Sequence, residues 1–468
     1  MSAAPPVPRI AARAPAWSAR SAPPRAPGMA ALAMEGAPSL RLPGEHFAAA
    51  LLFLCTGCIG LIWIAPELAA GLYLSPHVAG VTHCFTLGWL SMTIFGAMYQ
   101  LLPVALGVSI RSERAGHVSF CAFAPGVALF ASGVAFSSVM LRNSGITLIA
   151  IGVTCLIVNV ALSLRRVADR DVIWSAIVIA LSFLTVTFGI GAILSQNLHT
   201  GFLGDWRVTV LATHLHVALI GWVLVMIVGI SHRLLPMFLL AHGADTRWTA
   251  RALTLLTAGV LLLAPGILVG HSVRSSVVVW LGLLLIECGI FCFLRQAWLF
   301  FRARKRPRLD AGLRHAGTAL IFLAATAALA PVVLALGPEY RRLDTAYVML
   351  GLLGGLTLYV IGQFYKIVPF LAWMARFRNE MGKKRVPTVA ELYSPLVAHI
   401  DLALFAIGSL GMVTGVVTGI SPVVRIAAIL VASAVALFVS QIARVALATS
   451  FRGIGSASVQ PTITKASR

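Results

Sequence analysis

Three histidines stand in one run apolar enough to cross a bilayer: His214, His216 and His232 in THLHVALIGWVLVMIVGISHRLLPMF, from Thr213. His83 opens a similar run, HCFTLGWLSMTIFGAMYQLLP. Neutral imidazole is a versatile metal and haem ligand. Burying an ionisable side chain in a membrane costs free energy, so each such residue points to function. The competing reading is a histidine near an interface that hydrogen-bonds a neighbouring helix. Residues two apart on a helix point about 200° apart, so His214 and His216 cannot easily share one ion. Glu287 is the acid deepest in an apolar segment; it reads as a proton-relay element or as the partner of a polar neighbour. The seven cysteines include a C-x-x-C at Cys55 and Cys58, and Cys288 with Cys292. In apolar segments they read as small packing residues or as thiol or copper chemistry, and not as a secreted disulfide framework.

These residues need helices to hold them. Of 468 residues 59% are hydrophobic and 11% charged, and mean hydropathy is +0.92. That composition belongs to a polytopic all-α membrane protein. Twelve spans are expected, at 47–73, 79–105, 117–138, 144–164, 171–196, 206–236, 250–270, 275–301, 311–336, 344–374, 398–420 and 422–447. Of the 36 Lys and Arg, only Arg142, Arg207, Arg274, Arg341, Arg342 and Arg425 fall on one side of this map. The other side is expected to be cytoplasmic and to carry both termini. The net charge of +21 then speaks of orientation and anionic lipid, with the bilayer as partner and no nucleic acid. Residues 1–45, rich in Ala, Pro and Arg, read as a disordered tail. Residues 46–448 form the membrane domain, and 449–468 a second cytoplasmic tail. A bacterial inner membrane is the expected location.

The span with three histidines has two relatives in the chain. Aligned on Pro103, Pro236 and Pro369, it matches HCFTLGWLSMTIFGAMYQLLP and MLGLLGGLTLYVIGQFYKIVP. Gly88, Gly221 and Gly354 coincide, and so do Gly96, Gly229 and Gly362; Tyr99, His232 and Tyr365 share a position. His83 and His216 share another, where the third unit has Met349. Glycine pairs in the next span keep the register: Gly126 and Gly133, Gly259 and Gly266, and Gly408 and Gly415 after an insertion. The expected fold is therefore four spans repeated three times. Small residues allow close helix approach, and each proline marks a helix end.

Twelve spans in three pseudo-repeats of four, with histidines on spans 2 and 6, resemble the catalytic subunit I of haem-copper oxygen reductases and nitric oxide reductases. The resemblance covers residues 45–447. It implies a low-spin haem b on His83, with Met349 opposite it. It implies copper near His216 or His214, a proton path near Glu287, and a cytochrome c-like or quinol electron donor. The sequence departs from that pattern. Span 7 reads ALTLLTAGVLLLAPGILVG without a histidine, span 10 has none, and Ile220 stands where some members carry tyrosine. The expectation is a divergent member with an incomplete binuclear centre, holding a single haem or metal for electron transfer or sensing. The alternatives are a copper-handling assembly factor and a transporter. The charge asymmetry makes a first prediction: reporters fused after Arg111, Arg170 and Lys305 read cytoplasmic, while those after Ser75 and Gly201 read the opposite side. Two adjacent loops on one side would remove a span.

Overall fold

A computed structural model describes residues 39–450, apart from 242–244, 270–272, 274, 338–339, 381–382 and 384. Most of residues 1–45, and 451–468, lie outside the described residues. Among the described residues, twelve helices are long and apolar enough to cross a membrane. They are α1 (Arg41–Trp63), α2 (Pro76–Leu106), α3 (Glu113–Ala135), α4 (Val139–Leu164), α5 (Val172–Thr200) and α6 (Trp206–Leu239). The second six are α7 (Arg247–Val269), α8 (Val277–Arg302), α9 (Ala311–Leu336), α10 (Arg341–Phe377), α11 (Pro395–Thr418) and α12 (Ser421–Leu447). The first begins earlier than its apolar run, because Leu42 packs against the open face of Gly116 and is fully buried.

Helices α2 and α10 are the most enclosed, with 78% and 83% of their most apolar window buried. Helices α3 and α4, α7 and α8, and α11 and α12 pack as hairpins. Their glycines explain the closeness. A Cβ on Gly126 would strike the Gly145–Ile149 backbone of α4, and one on Gly259 the backbone of α8. On Gly415 it would strike Val424 of α12.

The 133-residue spacing recurs in backbone and packing. Helices α2, α6 and α10 widen into π-helix at Cys84–Ser91, Val217–Leu224 and Leu350–Thr357. Each widening follows His83, His216 or Met349. Gly88 abuts Phe53 of α1, Gly221 abuts Phe183 of α5, and Gly354 abuts Phe322 of α9. Two turns further, Gly96 abuts His46, Gly229 abuts Ala176 and Gly362 abuts His315.

The prolines do not end their helices. α2 continues to Leu106 and α6 to Leu239, three residues past Pro103 and Pro236, and α10 runs on to Phe377 beyond Pro369. A proline removes one backbone donor and strains one turn, which neighbouring helices can absorb in a membrane. The actual stops are left-handed residues, Gly107 with φ 68° and Leu240 with φ 54°.

The packing makes a second prediction. Gly221→Val drives two methyl groups into Phe183 and lowers unfolding free energy in detergent by about 1–3 kcal/mol. Gly189→Ala, whose Cβ meets nothing within 4 Å, does not lower it, because alanine is the better helix former.

Candidate functional site

Four histidines are held alike. The Nδ1 of His46, His83, His216 and His315 lies 2.7–2.8 Å from the carbonyl oxygen four residues earlier: Leu42, Ala79, Ala212 and Ala311. A carbonyl only accepts, so Nδ1 carries the proton and Nε2 is left as the working nitrogen. This is how a helix presents an imidazole to a ligand.

His216 uses that freedom in a cavity of about 60 Å³, which Glu287 of α8, Thr326 of α9 and Tyr347 of α10 also line. Its ring stacks on Tyr347 at 6.5 Å between centroids. Glu287 is half-buried, and its Oε1 has no hydrogen-bond partner. A second cavity, of about 70 Å³, lies further along α6 and α10, with Thr93, Ser231, Tyr359 and Gln363 among its lining. There Ser231 and Tyr359 share a 2.6 Å hydrogen bond. Nearby, the Trp222 indole donates to Ser91 Oγ at 3.0 Å, tying α6 to α2.

His214 points elsewhere, lying against Gly191 of α5. The two histidines of His-x-His therefore serve different faces, as their spacing requires. The His83 ring stands edge-on to Phe130 at 5.1 Å, and Met349 is buried. Neither cavity is lined by His83 or Met349. For copper, among the described residues no group of three or more His, Cys, Asp or Glu side chains is gathered as a metal site. His232 takes Thr249 Oγ1 as its partner at 2.9 Å and lines neither cavity.

Sequence reasoning missed a second polar cluster, near the proline-bearing end of the bundle. It took Glu287 as the one deep acid, but Asp401 on α11 is the more completely buried, 2% exposed beside His315 at 1%. The His315 Nε2 lies 2.8 Å from Asp401 Oδ1, and the Tyr365 hydroxyl donates to Oδ2. Because Nδ1 already donates to Ala311, the Nε2···Oδ1 contact must contain a further proton. The pair is either imidazolium with carboxylate or imidazole with carboxylic acid, and neutral overall either way. Beside it, Lys366 pairs with Asp310. The available signal was an aspartate seven residues before Gly408 inside an apolar run.

No protein-family model matches the chain, and no curated protein matches it.

The cluster makes a third prediction. Asp401→Ala leaves His315 without its partner and costs about 3–5 kcal/mol, read by denaturation in detergent. The double change His315→Leu with Asp401→Leu recovers most of that loss.

Proposed function

We propose that the chain is a divergent relative of subunit I of haem-copper oxygen and nitric oxide reductases. In this reading it keeps the scaffold, holds one metal ion on its histidine-bearing side for electron transfer or sensing, and does not reduce dioxygen. The observation that carries the reading is His216. Its Nδ1 is fixed to its own helix, and the ring lines a cavity of ionic size beside the carboxyl of Glu287. Tyr347 stacks on the imidazole and holds its plane. A metal ion bound there would supply the redox or Lewis-acid chemistry. The protein's own part is to present Nε2, provide nearby negative charge and limit water.

Further support comes from the placement of His83, His216 and Met349, each directly before a π-helical stretch; such distortions are frequent at functional sites. The kinship itself rests on twelve spans and the repeat spacing, a fold-level analogy. The absence of dioxygen chemistry follows from ligand count. Copper beside an open haem position needs three imidazoles in that family, and α7 and α10 contain no histidine.

Metal analysis and a reduced-minus-oxidised spectrum of the purified chain test the reading together. We expect about one equivalent of metal, lost in His216→Ala and kept in His232→Ala, with oxygen uptake at the level of background autoxidation. Metal-free protein that fails to take up added copper, iron or zinc sinks the metal assignment. Cyanide-sensitive oxygen uptake with a reduced donor sinks the non-catalytic one.

A further inference from the structure

Helices α7 and α8 share a basic patch that takes no part in either cavity. On α8, Arg295, Trp298 and Arg302 follow Phe291 by four, seven and eleven residues, which places all of them within about 60° around the axis. That face looks out of the bundle: Phe291 is 61% exposed and Trp298 47%. The Arg295 guanidinium lies over the Trp298 ring at 4.3 Å, and Arg302 approaches the same ring at 5.1 Å. On α7, Arg251 lies over Trp248 at 4.8 Å. The Trp248 ring meets Phe291 edge-on at 6.5 Å, so the two sets form one surface. The hairpin register agrees. Leu256 packs on Gly289, and Gln296 donates to the Asp245 carbonyl, so Arg251 stands level with the stretch of α8 between those contacts.

These three cations lack an anion. Among the described residues the arginine and lysine salt bridges join Arg247 to Asp245, and Arg306 and Lys366 to Asp310; none includes Arg251, Arg295 or Arg302. Asp245, the acid just before α7, is held by Arg247 through both oxygens. The indole faces orient the guanidinium planes by cation–π attraction and leave their N–H donors for a ligand. Arg295 follows Val277, the first residue of α8, by 18 residues. That is about 27 Å of helix, within the roughly 30 Å of a hydrocarbon core, where an uncompensated charge costs free energy. The anion within reach of such a position is a lipid phosphate. A guanidinium fork matches phosphate oxygens in pairs, and tryptophan favours the headgroup level. Charge also selects the headgroup. Choline or ethanolamine would bring a further cation to three arginines, whereas an anionic headgroup brings none.

We propose that the outer face of the α7–α8 hairpin binds one anionic phospholipid from the leaflet at the proline-bearing end. Its phosphate sits among Arg251, Arg295 and Arg302, and an acyl chain runs past Phe291, one turn deeper in the bilayer. Basic pockets between spans bind anionic headgroups in this way. The lipid binds the folded hairpin and thereby stabilises it. The site lies outside both cavities and does not depend on a metal at His216.

The test uses the full chain, delipidated in detergent and titrated with phosphatidylglycerol, phosphatidylcholine or inorganic phosphate. Native mass spectrometry counts bound lipid, and thermal unfolding reads its effect. The expected result is a one-to-one phosphatidylglycerol adduct and a raised melting temperature, with phosphatidylcholine binding at least tenfold more weakly. The triple change Arg251→Gln, Arg295→Gln and Arg302→Gln abolishes the preference. The triple change Arg304→Gln, Arg306→Gln and Arg308→Gln removes the same charge from the adjoining loop and keeps it. Should the first triple variant fail to fold, Arg295→Lys decides, because it keeps the charge and loses the fork; it is expected to weaken the adduct several-fold. Equal binding of the two lipids overturns the proposal. So does a preference that survives the first triple change, or Arg295→Lys where that variant decides, or one that both triple changes reduce alike. Stabilisation by inorganic phosphate equal to that by phosphatidylglycerol assigns the patch to a free anion and overturns the lipid assignment. Metal loss in His216→Ala with the adduct intact separates this site from the metal reading.

Discussion

The interior is organised by one contact made three times. A phenylalanine on an outer helix, Phe53, Phe183 or Phe322, lies on a glycine of α2, α6 or α10. No other side chain leaves room for a ring there, and lipid offers no hydrophobic drive to pull helices together, so close packing must do it. Each phenylalanine then fixes what lies seven residues before it on the same helix. Those residues are His46, Ala176 and His315, each seated on the second glycine of the facing helix. His46 is thereby brought within 5.4 Å of the Tyr99 ring, and His315 within 5.2 Å of Tyr365. Where the residue is Ala176 there is no such pair, and His232 reaches α7 for its partner.

The first and third units show how one substitution changes the chemistry of a conserved geometry. Asp401 stands seven residues before Gly408, and Ser119 stands seven before Gly126. The aspartate bridges His315 and Tyr365. The serine instead gives its hydroxyl to the Gly152 carbonyl, leaving His46 Nε2 and the Tyr99 hydroxyl without partners. A buried carboxylate requires a proton-bearing neighbour, since an isolated charge in the interior is prohibitively costly. The third unit therefore has a proton shared between His315 and Asp401, a contact that Ser119 does not make in the first.

The number of the spans was legible, because a bilayer demands about 20 apolar residues and an absence of charge. The positions of close approach were legible too, since glycine at a fixed spacing is a packing instruction. His216 was legible as an imidazole in an apolar run. Asp401 was not, because an acid near a span end reads as interfacial until its partner on a distant span is known. The stops at Gly107 and Leu240 were masked by the prolines that precede them. The pairing of His83 with Met349 was drawn from analogy and not from spacing or composition.

The π-helical stretches supply what a helical wheel cannot. Tyr347 and Tyr359 are twelve residues apart, which on an unbroken α-helix places them about 120° apart around the axis. An i→i+5 turn accommodates one extra residue. Subtracting that residue's rotation of about 100° brings the two tyrosines to within roughly 20°. The widening at Leu350–Thr357 thus turns two faces of α10 into one, and both cavities open onto it. The distortion costs regular hydrogen bonding in a place where no water from bulk can compensate. The glycine contacts of α10 with α9 at Gly351, Gly354 and Gly362 hold the helix there, and the effect of the distortion is to bring Tyr347 and Tyr359 onto one side of it.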